Sequence, residues 1–202
     1  MADILRANVN DESFIRGAAR VLWAGSTVSF PTKISDIINM SLYDSTASWN
    51  DLGATKTGVQ ISVNNSEESF DVDQIYTAIQ TQPTTWDVSV QTALAEMTLD
   101  RLNLAWEGNS VVTTTLDGAS TKVVSFGSPR SYTERRLAVL FQKPSGKIRA
   151  FVFRRTNRSP QESSIAFNKT GEQQSVPVRF TCLADTSVSD EKARIFTVFD
   201  QV

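Results

Sequence analysis

The chain has 202 residues, 40% of them hydrophobic and 21% charged, with a net charge of −2. That is enough chain for one domain with a proper core, and no apolar run nears the roughly 18 residues of a membrane span. Histidine is absent and Cys182 is the only cysteine, which excludes an intrachain disulfide and every mechanism built on a histidine base or ligand.

Residues 1–16, with Ile4, Leu5 and Val9 followed by Asn10-Asp11-Glu12, read as an arm that orders on contact or pairs as an edge strand. The start lacks the continuous apolar core of a signal peptide, so a cytoplasmic product is expected. From Gly17 to Ala24, GAARVLWA places Val21 and Trp23 on one side of a strand. Residues 26–42 hold Pro31 and the cluster Ile34, Ile37, Ile38 and Met40, a short turn or helical piece docked on the core. Residues 43–58, YDSTASWNDLGATKTG, form a long polar loop. Loops of that length inside a compact domain are usually functional or ordered by a partner. Trp49 at its middle either folds back on its own domain or serves as an interface anchor.

Val59 to Val63 alternates as a strand, Asn64-Asn65-Ser66 breaks the run, and a second extended piece follows through Phe70, Val72 and Ile75. Thr81 to Thr85, with Pro83, leads into the longest predicted element, a helix from Asp87 to Gly108. Asp87 caps its first turn and Gly108 takes the left-handed conformation that ends it. Its apolar residues lie on two sides: Val90, Leu94, Met97 and Leu104 on one, Leu99, Leu102 and Trp106 on the other. Such a helix wants two surfaces, its own sheet and either its own domain or a neighbouring molecule.

Strands follow at 111–116 and 121–126 around Asp117-Gly118, at 137–142 and 147–155 around Lys143-Pro144-Ser145-Gly146, and at 163–167, 174–183 and 194–199. The expected fold is mainly β with one α-helix, a sandwich or barrel in a single domain of residues 1–202. Cys182 is in phase with Val176, Val178 and Phe180, which makes it a buried, inert thiol.

No phosphate loop, dinucleotide fingerprint, nucleophile elbow or zinc motif is present in the sequence. Glu67, Glu68, Asp71 and Asp73 are the tight acidic cluster. Carboxylates two apart share a strand face and can ligate a cation or act as an acid–base pair. No third ligand surrounds them, so no catalytic, cofactor-binding or metal residue is assigned. Charge by region says more. Residues 36–107 carry eleven acids and two bases; residues 130–158 carry nine bases and one acid. A nucleic-acid surface of Arg135, Arg136, Arg149, Arg154, Arg155 and Arg158, with Tyr132, Phe151 and Phe153 interleaved, is one reading. Two solvated faces of a monomer is another. The third is a head-to-tail contact, the acidic section of one copy on the basic section of the next, which closes a ring or opens a filament.

The order GAARVLWA, SWNDLGATKTGVQISV, FDVDQ, VSVQTALAEMTLDRLNLAWEG and the closing VPVRFTCLAD…ARIFTVFDQV resembles the tail tube (major tail) proteins of long-tailed bacteriophages. The resemblance implies a β-sandwich subunit in hexameric rings whose inner sheets join into one wide β-barrel, the rings stacking into a tube. It implies a tape-measure protein in the lumen, tail terminator and distal tail proteins at the ends, and passage of double-stranded DNA at ejection. Such a protein resides in the virion tail after assembly in the host cytoplasm. On this reading the arm and loop make ring-to-ring contacts, and Trp49, Leu99, Leu102, Trp106, Arg154 and Arg155 lie between subunits. Glu67, Glu68, Asp71 and Asp73 lie at the lumen or its rim, because a basic lining would hold phosphates. Alternatives are a tail terminator or contractile-injection tube protein, a monomeric ligand-binding β-sandwich, and a small carboxylate enzyme.

Overall fold

The computed structural model describes residues 18–39, 44–72, 75–128, 130–159, 165 and 174–202, with the side chains of 71–72 and 75–79 left out. The predicted arm 1–16 and Asp73 lie outside these residues, as does the predicted strand 163–167 apart from Ile165.

Three strands that carry the apolar runs VLWA, LAVLF and AFVF form the middle of the molecule. They are β1 (Arg20–Gly25), β9 (Arg135–Gln142) and β10 (Ile148–Arg158). A run such as LAVLF has no polar side to show to water, so both faces must be covered. They are. Val21, Leu137, Val139 and Phe153 belong to one buried cluster, while Leu22, Ala24, Ala138, Leu140, Ala150 and Val152 belong to a second. The segment at 26–39, with a short 3₁₀ turn over Ile34–Asp36, covers the second cluster through Ile37 and Ile38. That agrees with the docked piece expected there.

The main sheet is antiparallel and has eight strands, in the order β4 (Asn50–Asp51), β1, β9, β10, β11 (Val176–Leu183), β6 (Ile75–Leu94), β5 (Thr55–Val72). The eighth, β12 (Phe196–Asp200), pairs with β10 over Arg149–Phe153. Past a register shift at Phe153/Thr156, β10 pairs instead with β11 over Arg155–Arg158. Two smaller ladders join β2 (Ile38–Asn39) to β3 (Asp44–Ser45), and β7 (Val112–Leu116) to β8 (Ala119–Val123). In β11 the burial alternates, the base of β6 is buried from Val88 to Leu94 except at Gln91, and Val88, Val90, Leu94, Val178 and Phe180 enter the first cluster with Leu104 and Ala105 of the helix.

The helix is the main correction. Residues 87–94 are the end of β6, and α1 is the eight-residue element Leu99–Trp106. Val88-Ser89-Val90-Gln91-Thr92 alternates with a period of two and is rich in β-branched residues, which suit a pleated surface. Val90, Leu94, Met97 and Leu104 fit helical spacing as well as a strand followed by a helix. Pairing settles the matter, because β6 is flanked over Val88–Leu94 by β11 and β5. The cap is Thr98, whose hydroxyl accepts from the Arg101 N–H at 3.4 Å. The left-handed residue that ends α1 is Glu107, with φ of 54°. Gly108 is required for space: a Cβ there would stand 2.8 Å from the Phe126 ring.

The predicted break at Asn64-Asn65-Ser66 and linker at Thr81–Thr85 are also corrected, since both lie inside strands that pair with each other. The predicted loop 43–58 is short strands from Asp44 onward, and β5 begins at Thr55.

Candidate interaction surface: the β5–β6 arm

Strands β5 and β6 are 18 and 20 residues long, three times the usual length. Only the base of this hairpin belongs to the sheet body, because β11 covers β6 no further than Val88. Beyond that rung, among the described residues, β5 and β6 have only each other: Asn64 pairs with Asp87, Asn65 with Trp86, Phe70 with Gln80 and Val72 with Ile75. The nine residues of β5 beyond Val63 extend about 31 Å. The composition explains why this ribbon forms without a core. Threonine, valine, isoleucine and aromatic residues are frequent in it, and its second strand carries no charge from Ile75 to Trp86.

Every residue from Val63 to Phe70 and from Gln80 to Asp87 is exposed. Three are large and apolar: Val63 at 44%, Phe70 at 47% and Trp86 at 56% exposed. Val63 pairs with Val88, which is 1% exposed, so the core-facing stripe of the sheet runs straight out onto the arm. Between Val63 and Asp87 there are five acids (Glu67, Glu68, Asp71, Asp73, Asp87) and no lysine or arginine. Glu67 and Glu68 sit on this exposed arm, and the Asp71 backbone lies in β5. Among the described residues the outer edge of β5 ends the sheet, with no strand paired beyond it.

The basic section is of the opposite kind. Arg155 Nη2 and Nε hold the Glu134 carboxylate at 2.6 and 3.0 Å, and Nη1 donates to the Ala184 carbonyl at 3.1 Å. That pairing holds Glu134 below the usual carboxylate range and raises Arg155. Arg154 donates from Nε to the Ala193 carbonyl at 2.7 Å and stacks 3.8 Å over the Phe30 ring. Arg136 donates to the Val28 carbonyl at 2.6 Å and to the Arg154 carbonyl at 3.1 Å; burial lowers its pKa. Arg135 pairs with the buried Glu107 and lies over the Trp23 ring. Lys143 and Arg149 grip Asp200 at 2.6 and 2.7 Å, and their hydrogen bonds push its carboxyl down to about 2. Six of the nine bases are thus committed to groups of their own chain. The head-to-tail charge contact expected from regional counts therefore meets a largely internally paired basic side and an acidic side whose Asp44, Asp51, Glu96, Asp100 and Glu107 are also paired within the chain, which leaves Glu67 and Glu68 of the arm without an ion pair among the described residues.

The remaining predicted contact residues divide. Trp49 is 3% exposed in the second cluster, so in the folded chain it has no surface left to offer. Leu102 and Trp106 are half-buried against the first cluster, and Leu99 is half-buried at the start of α1. Part of the second side of α1 is covered by the chain itself. Trp106 meets Phe126 edge-to-face at 5.5 Å, and Lys122 of β8 reaches Asp100 at 3.9 Å. Trp49 and Phe30, the ring under Arg154, belong with the second cluster, whereas Leu102 and Trp106 pack on the first. The Cys182 thiol is buried as expected and pushed up to about 12.

The arm escaped sequence reasoning because its polar residues resembled loop. One signal was available: residues 74–86 lack any charge yet are rich in strand-forming types, the pattern of a strand with no buried face. No family model and no curated protein matches this chain.

Proposed function

We propose that the protein is a self-assembling structural subunit, most closely a tail tube protein whose rings stack into a conduit for double-stranded DNA. The observation that carries this reading is the β5–β6 arm. An isolated two-stranded ribbon is marginal in water, and this one exposes Trp86, Phe70 and Val63 along a sheet edge that no strand of the described residues pairs. Long flat edges are ordinarily blunted in proteins that stay monomeric. Charge supports the same partner. The arm carries five acids and no base, so the rest of the chain, with 20 bases and the other 17 of its 22 acids, is net positive. A second copy thus offers a complementary field that steers association, although its arginines are mostly held internally.

In this proposal the inner sheets of six copies join into a barrel around a lumen that holds a tape-measure protein before ejection. Terminator and distal proteins close the ends. The arm takes the contact role in place of Trp49, and Glu67, Glu68, Asp71 and Asp73 keep phosphates from sticking at the lumen or its rim.

The test is electron microscopy and sedimentation of the purified chain across salt concentrations. Long tubes with a central channel are expected. Single rings alone would point to a terminator, and a monomer at every salt and protein concentration would overturn the reading in favour of a ligand-binding domain.

A further inference from the structure

The arm's ladder shifts register twice beyond Val63, toward the tip at Phe70/Val72 and near its middle at Ser66/Glu67, and the second of these divides the ribbon. Ser66 pairs with Thr85, yet the next residue of β5, Glu67, pairs with Pro83, so Thr84 has no rung of its own. An extra residue on one strand breaks the ladder locally, bends that strand and increases its twist. Pro83 deepens the interruption, because it brings no N–H to the ribbon. Hydroxyls gather at the break: Ser66 Oγ bonds Thr84 Oγ1 at 3.0 Å and also Thr85 Oγ1, and Thr84 Oγ1 donates to the Ser66 carbonyl at 3.1 Å. All of them are exposed, where water competes for the same groups.

The two sides of this break differ in what holds them. On the body side, Ile61 packs against the first core cluster, and Val88 and Val90 belong to it. On the far side, no described residue belongs to either core cluster. We propose that the bulge at Ser66/Thr84 is a hinge, about which the distal ribbon swings as a unit on a rigid base. The inference rests on the arm's own ladder and holds whatever the arm docks against, so it can fail while the assembly reading stands, and the reverse.

The test places spin labels at Ser69→Cys on the distal ribbon and Lys192→Cys on the body, diluted into unlabelled chain so that only intramolecular distances are read. Buried Cys182 stays unlabelled. A broad or two-peaked distance distribution is expected. Deleting Thr84 makes the Ser66–Thr85 and Glu67–Pro83 rungs consecutive and should collapse the distribution to one narrow peak. By hydrogen exchange, amides of Glu68 and Gln80 should exchange about 100-fold faster than those of Ile61 and Val90, a gap the deletion narrows to about 10-fold. If the deletion variant does not fold, Pro83→Val, which restores a donor at the break, should narrow both readouts. A single narrow peak in the parent protein would overturn the hinge. So would a distribution that neither variant changes, since simple fraying would then explain the exchange.

Discussion

The basic section and the acidic arm look like mirror images in the sequence, and the fold treats them oppositely. Between Arg130 and Arg158, positive charges are drawn onto carboxylates and carbonyls of the same chain, as in Arg155–Glu134 and the Lys143–Asp200–Arg149 group. Along the arm, Glu67 and Glu68 are exposed and form no ion pair among the described residues. The difference follows from position. Strands β9 and β10 lie in the middle of the sheet with both faces covered, so a cation there must find a partner when it leaves water. Among the described residues nothing covers the ribbon beyond Val63, so Glu67 and Glu68 stay hydrated. A regional charge count measures potential; burial decides how much of it reaches a neighbour.

The contrast can be broken most severely at the buried pair. Arg135→Ala leaves the Glu107 carboxylate buried without its cation and should cost about 3–5 kcal/mol in chemical denaturation. On the arm side, replacing residues 64–87 by Asn-Gly, which joins Val63 to Val88 through a tight turn, should leave the unfolding midpoint within about 1 kcal/mol of the parent. The same replacement should abolish assembly in sedimentation. A variant that unfolds would show the arm to be part of the core after all.

A smaller effect is expected at Asp200. Its carboxyl, held near 2 by the Arg149 and Lys143 hydrogen bonds, is depressed relative to the unfolded chain. Its contribution is therefore complete above the unfolded value, near 4, and lost as the pH falls from there through 2. Asp200→Asn should flatten that part of the stability–pH profile and cost about 1 kcal/mol at neutral pH, as suits a partly exposed group. Smallest for folding is Glu67→Gln with Glu68→Gln, which should move stability by less than about 0.5 kcal/mol yet shift the salt dependence of assembly. Equal shifts in both would erase the distinction between the two regions. Cys182 offers a check on the body alone: with its thiol pushed up to about 12, it should resist alkylation at pH 8 until denaturant is added.

Much of the body was legible from residues alone. The apolar residues of β1, β9 and β10 announced strands, though not that both faces would be covered; the alternation from Val176 to Cys182 announced a strand with one buried face, and Asp117-Gly118 announced a hairpin. Those signals are local, because burial at each position is written in the residue itself.

What only the tertiary structure decided was the element over 87–108 and the arm beside it. Val88-Ser89-Val90-Gln91-Thr92-Ala93-Leu94 satisfies two periods at once, and the choice came from strands far away in sequence, Val176–Cys182 on one side and Thr55–Val63 on the other. Glu107 ends the short helix in a left-handed conformation, with its carboxylate bound to Arg135, 28 residues further along the chain. The arm was hidden for the opposite reason. A ribbon exposed on both faces leaves no apolar pattern to read, and backbone pairing, which every sequence can supply, reveals it only when the chain is folded.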